Sequence, residues 1–168
     1  MQRIDAHQHF WQYDARTHAW ITDDMHTIAR DFLAADLQPI LKKHDLDGCV
    51  CVQAEQNAEE TAFLLRLAEE NVFIKGVVGW IDLKADDIDE QLEYYTQFEK
   101  LKGFRHMLQD ETDRRYMLND DFKRGISALK KHRYTYDILQ NTFSFLPNAL
   151  ISFAHSSIFL FLISGLAR

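Results

Sequence analysis

His7 and His9 stand one residue apart in the stretch IDAHQHFW, residues 4 to 11. In a strand, residues i and i+2 point to the same side, so the two imidazoles would project together. Two neutral imidazoles so placed can hold a divalent cation, with zinc first among the metals they suit. A tight site also wants a third ligand and usually a carboxylate. A bare HxH more often means polar loop residues or histidines satisfied by hydrogen bonds. Its position at the end of a first strand shifts that balance toward a ligand pair.

Other polar residues fall at the same end of later strands. Gln53 and Glu55 end a second strand, Trp80 and Asp82 a third, Arg105 and His106 a fourth, and Asp137 a fifth. Each has an ordinary explanation when taken alone: Asp82 can cap a turn, Asp137 can pair with a cation, and Trp80 suits a core. Polar ends on successive strands would converge on one mouth, which makes Gln53, Trp80, Asp82 and Asp137 candidate substrate contacts. Arg105 is the most interpretable, because a guanidinium there could clamp a carboxylate or polarise an ester carbonyl. Trp11, Trp20 and Trp80 could offer flat faces to a cyclic or sugar-like ligand, or could equally serve as core aromatics, the better fit for Trp80.

The elements that must position these groups follow a regular order. Residues 2–10 read as a strand, with Ile4 and Ala6 on one face and Asp5, His7 and His9 on the other. An aromatic loop leads to a helical region over 31–48, with Asp36 as N-cap, Pro39 in its first turn and Gly48 as its stop. Strands are expected over 48–55, 73–83, 102–108 and 134–139, and helices over 57–72, 87–101 and 118–132. In the helix at 57–72, Ala58, Thr61, Ala62, Leu65, Ala68 and Glu69 follow the 3.6 period imperfectly, with Leu64 and Leu67 widening the apolar face. Asn119 serves as N-cap of the last helix, and cations at its far end suit the dipole.

Strands alternating with helices imply an α/β fold with a parallel sheet and right-handed crossovers. No Gly-rich phosphate fingerprint follows the first strand, which argues against a dinucleotide-binding fold. A TIM barrel fits better, and since a full one takes about 250 residues, a chain of 168 has room for roughly the first five β/α units. This partial (β/α)8 barrel spans 1–139. An atypical apolar, uncharged C-terminal tail follows over 140–168, where the only Lys, Arg, Asp or Glu is Arg168.

A formal net charge of −7 argues against a nucleic-acid partner, which would want a basic stripe. Cys49 and Cys51 alternate within an apolar run and read as buried thiols in a reducing compartment. The chain opens with neither a basic n-region nor an apolar h-region, so the cytoplasm is the expected location.

IDAHQHFW, VQAE followed by Glu60 and Thr61, GVVGWIDL, GFRHMLQDE and YTYDIL together resemble the sugar-lactonase-like branch of the amidohydrolase superfamily. That branch includes L-fuconolactone and L-rhamnonolactone hydrolases, and the resemblance runs from residue 2 to about 139. It implies a (β/α)8 barrel and hydrolysis of a lactone or related ester by activated water. His7 and His9 match the branch's metal-ligand pair, and Arg105 and His106 match its strand-four residues at the substrate. The departures are informative. Many amidohydrolases carry a lysine on strand four and a histidine on strand five, where this chain has Arg105-His106 and Asp137. A two-metal centre is therefore not expected; the branch works with one divalent metal ion or with none. It also uses a histidine from strand six and an aspartate from strand eight as general base, and the chain stops before either, so impaired catalysis is expected.

The tail breaks the β/α rhythm. As a membrane anchor, the uncharged run 149–167 has nearly the spanning length but is interrupted by serines, a histidine and a glycine. A shifted reading frame explains it better. Gln140-Asn141-Thr142-Phe143 can be encoded so that another frame reads Lys-His-Leu. Leu150 to Ala154 can likewise give Ile-Asp-Phe-Val-Arg. Both fragments suit an amphipathic helix. The non-enzymatic alternative is a half-barrel or tail-anchored binding protein, and open sheet edges would favour self-association. Sequencing of the encoding DNA should show a single-base slip near codon 140 that restores a longer frame containing a downstream Asp-His pair. A slip-free frame ending at codon 168 would remove this explanation.

Overall fold

The computed structural model describes residues 1–140 and 160–164 of the chain, which divides into two units, 1–79 and 80–168. The first unit contains β1 (Ile4–Gln8), α1 (Ala34–Lys43), β2 (Gly48–Val52), α2 (Ala58–Glu70) and β3 (Ile74–Gly79). Its central strand, β2, runs parallel to β1 on one side and β3 on the other. The second unit contains α3 (Ile88–Tyr95), β4 (Leu101–Met107), α4 (Asp120–Lys131), β5 (Thr135–Gln140) and β6 (Leu160–Ser164). Here β5 is central, parallel to both β4 and β6. The α/β class is present, with β1 to β5 alternating with α1 to α4 among the described residues as in the first part of a TIM barrel, as the alternation of periods implies. Of the apolar run 149–167, residues 160–164 form a strand; the rest, with the reading-frame fragments, lies outside the described residues. No helix among the described residues is long and apolar enough to cross a membrane.

Several element boundaries differ from the sequence expectation, each for a local reason. In α1 the N-cap is Leu33, and Asp36 sits one turn inside, its carboxylate accepting from the Leu33 backbone N–H at 2.9 Å. Asp36 thus satisfies the helix end by reaching back, as the third helical residue of a capping box does. Gly48 does not stop this helix. Asp45 does, by taking a left-handed conformation (φ 55°) while Leu46 N–H donates to Leu41 O at 2.9 Å. Gly48 instead opens β2, where an added Cβ would lie 2.2 Å from the Phe73 carbonyl oxygen. The buried face of α2 is Thr61, Leu64, Leu65 and Ala68, a clean i, i+3, i+4, i+7 stripe, whereas Ala58, Ala62 and Glu69 are exposed. α3 ends at Tyr95, short of the expected residue 101, where the Thr96 hydroxyl donates to the Glu93 carbonyl and competes with the helical ladder.

The core of the second unit is aromatic. Tyr136 of β5 packs on Phe122 of α4, and Phe104 of β4 packs against Tyr95 and Tyr134. Phe104, Tyr136, Phe122 and Leu129 are all buried, and each such side chain contributes about 1.5–3 kcal/mol by leaving water. α4 approaches closely because Gly125 has no side chain: a Cβ there would sit 2.0 Å from the Leu83 carbonyl oxygen. Its far end repeats the device of α1, with Arg133 left-handed (φ 64°) and Tyr134 N–H donating to Leu129 O at 2.9 Å.

Two substitutions test this packing by chemical denaturation. Arg133→Gly should raise stability by about 0.5–1 kcal/mol, because it relieves an exposed left-handed residue that pays a steric cost. Gly125→Ala should lower it by about 2 kcal/mol or more, since the new methyl meets backbone.

Candidate active site

At the end of β1, His7 Nε2 and His9 Nε2 lie 3.0 Å apart, with their ring planes at 79°. The approach is built by the backbone. The register of β1 against β2 passes from Asp5 opposite Cys49 to Gln8 opposite Cys51, so three steps on one strand match two on the other. This is a β-bulge, a device that re-aims side chains and recurs beside active sites. Asp5 stitches it, with one carboxylate oxygen accepting from His7 N–H at 3.1 Å and the other from the Gln8 side-chain amide. His9 Nδ1 lies 2.9 Å from the Val52 carbonyl oxygen. A carbonyl only accepts, so Nδ1 carries the proton and Nε2 presents its lone pair toward His7. That is how protein frameworks orient histidine ligands. Two imidazole nitrogens on one zinc at 2.0–2.1 Å, in tetrahedral geometry, would be about 3.3 Å apart, so the donor pair suits a divalent metal. No third His, Cys, Asp or Glu completes a metal-sized cluster among the described residues.

The loop after β1 is closed at its base by an antiparallel bridge between Trp11 and Phe32, with both hydrogen bonds 3.0 Å. Trp11, His18, Trp20 and Phe32 pack ring against ring above that bridge. Trp20 Nε1–H donates to Glu55 Oε1 at 2.9 Å. The Glu55 backbone is itself held, because the Glu60 carboxylate accepts from the N–H groups of Ala54 and Glu55. Glu60 N–H in turn donates to the N-cap oxygen of Asn57 at 2.7 Å. Gln53 is fully buried just past β2, its N–H donating to Val78 O.

In the second unit, Arg105 on β4 stands opposite Asp137 on β5, and both side chains are buried. Burial pushes the Asp137 carboxyl up to about 6, against the opposing pull of the Arg105 charge. His106 is the next residue on β4 and so occupies the other face. Its ring stacks on Tyr116 at 4.8 Å, lies 6.2 Å from Phe122 of α4, and its Nε2 is 2.6 Å from Glu111 Oε1. Arg105 and His106 are therefore separated by the sheet rather than brought together. Trp80 is half-buried just after β3, while Asp82 is exposed and its carboxylate caps a turn by accepting from Lys84 N–H at 2.9 Å.

Two contributors escaped the sequence reading, and a third was visible without its role. Asp5 and the bulge it ties leave no periodic mark, since the alternation looks unbroken. Glu111 lies beyond the strand end, with no periodicity to place it. Glu60 was visible in the family resemblance, and its position three residues after an Asn N-cap is the spacing of a capping interaction. Cys49 and Cys51 are buried free thiols, as expected; burial pushes Cys49 up to about 12 and Cys51 well above its ordinary value.

The Asp137 shift has a sign that stability measurements can read. Its folded pKa lies above the unfolded value, so the stability it confers is complete below about pH 4 and lost as pH rises through 6. Relative to Asp137→Asn, the native chain should lose on the order of 2 kcal/mol between pH 4 and 7.5. A pH-independent difference between the two would contradict a desolvated carboxyl.

Comparison with known proteins agrees with this architecture. The amidohydrolase family model matches residues 4–156. The chain is 45% identical over 138 residues to the L-fucono-1,5-lactonase of Burkholderia multivorans, covering 82% of this chain and 46% of that protein. It is 38% identical over 152 residues to the L-fucono-1,5-lactonase of Burkholderia ambifaria, covering 90% and 52%. A crystal structure of an amidohydrolase from Burkholderia multivorans with bound zinc superimposes with a TM-score of 0.87 at 41% identity, over 93% of this chain and 55% of that one. The chain thus spans about half the length of the relatives it matches. From its first strand onward, this chain belongs to the amidohydrolase family.

Proposed function

We propose that the chain carries the metal-binding first part of a sugar-lactone hydrolase, with a 1,5-lactone of a deoxy-sugar acid as its substrate class. The observation that carries this reading is the imidazole pair, with the His9 lone pair aimed at His7 by the Val52 carbonyl. The lactonase names of its relatives supply the substrate class. His7 and His9 would hold one divalent metal, zinc by donor type and by the zinc-bound relative. When bound, it supplies a Lewis acid for the ester carbonyl.

The remaining roles belong to the chain's own side chains. Arg105 donates hydrogen bonds to the carbonyl oxygen as negative charge develops there, an effect strengthened by its burial. Asp137, charged above about pH 6, accepts from substrate hydroxyl groups. By the family resemblance, Gln53 and Trp80 are each assigned to substrate recognition, one by its amide and one by its ring. His106 acts through Glu111 and Tyr116 as a positioning residue for β4. In the reaction, the water oxygen bonds to the carbonyl carbon and the ring C–O bond breaks. The ring oxygen leaves as a hydroxyl carrying a proton, giving the open sugar acid.

His7 and His9 supply two ligands to the proposed metal, and added zinc favours their occupancy. Hydrolysis of L-fucono-1,5-lactone should therefore rise with added zinc and fall at least about 100-fold in His9→Ala. Arg105→Met should lower kcat by about 10²–10³ with a smaller change in KM. A well-folded chain with no turnover at any zinc concentration would instead support a non-catalytic binding role.

A further inference from the structure

Trp20 is 45% exposed, more than any other Trp, Tyr or Phe of the loop it belongs to, yet its indole is held from three sides. Its nitrogen is fixed on Glu55 at 2.9 Å, Trp11 meets it edge-on at 6.4 Å, and His18 lies 6.3 Å away. Both anchors lead back to the groups that aim the imidazoles. Trp11 is two residues past His9, and Glu55 is three past Val52, whose carbonyl orients His9. The indole is thus fixed in place while nearly half of its surface faces solvent. A ring whose only polar atom is already satisfied has just its apolar surface left to offer.

We infer that Trp20 is the stacking platform for the C–H face of a sugar-sized cyclic ester, and that the Glu55–Glu60–Asn57 chain is the strut that holds it in place. This deepens the lactonase reading and rests on it. The platform gives uniform binding, since it touches ring carbons and not the reacting carbonyl; its loss therefore raises KM and leaves kcat in place. The strut explains a carboxylate pair that the chemistry does not use. Glu60 spends both oxygens on the backbone of Ala54 and Glu55, so that Glu55 can face the indole.

The test uses the full chain with added zinc and two readouts, steady-state hydrolysis of L-fucono-1,5-lactone and tryptophan fluorescence titration with L-fuconate. Trp20→Ala should raise KM and the Kd for L-fuconate about tenfold, with kcat changed less than threefold. Trp20→Phe should recover most of that loss by restoring the ring. Glu55→Ala should raise both constants about threefold, whereas Glu55→Gln, which keeps the acceptor oxygen, should match the native chain. Unchanged thermal midpoints would show that the variants fold. If the native chain hydrolyses the lactone and Trp20→Ala leaves KM and Kd unchanged, or loses only kcat, the platform is wrong and the lactonase reading stands. If the native chain binds L-fuconate without turnover, the Kd series alone decides. If it neither hydrolyses nor binds, the lactonase reading fails and the platform with it.

Discussion

One hydrogen bond joins the first two strands to the proposed metal pair: His9 Nδ1–H to the carbonyl of Val52. It exists because β2 ends where β1's bulge delivers His9, and it leaves the other ring nitrogen as a lone pair facing His7. A neutral imidazole has one donor and one acceptor, so committing the donor to backbone decides what the acceptor can do. Sheet register, bulge and tautomer are thus one constraint. A slip of β1 by one residue would turn the histidines to the opposite face and part His9 from Val52 together. Asp5 guards against that slip by accepting from both His7 N–H and Gln8.

The second unit shows the same pleat logic with charge. Arg105 and Asp137, in register on adjacent parallel strands, share a face, while His106 turns to α4 and stacks on Tyr116. Burying a carboxylate is costly in proportion to its desolvation, and the pKa near 6 of Asp137 records that cost. The neighbouring guanidinium keeps the shift from being larger. His106 meets Glu111 at 2.6 Å, so adjacent residues of one strand serve different layers.

Much of this was legible in the sequence. The alternation of periods placed β1 to β5 and α1 to α4 in order, and Asn119 was read correctly as the N-cap of α4. The i, i+2 rule brought His7 and His9 together before any coordinates. What was not legible came from interactions the chain makes at a distance or without period. The left-handed Asp45 and Arg133 end helices where glycine would be the readable signal. Gly48 looked like a helix stop but is small because Phe73 O approaches it. Arg105 and His106 were read together at the end of one strand, and the alternation of the strand turns the two side chains to opposite faces. The Trp20–Glu55 link spans 35 residues, and nothing local announces it.

The most direct measurement is the tautomer of His9 by long-range ¹H–¹⁵N correlation NMR on the ¹⁵N-labelled chain, with and without zinc. The account predicts a protonated Nδ1 and a lone-pair Nε2 in the zinc-free chain. On adding zinc, only the Nε2 signals of His7 and His9 should move to metal-bound shifts. A proton on His9 Nε2, or imidazole signals that ignore zinc, would contradict the claim that the strand pairing presets a metal-binding pair.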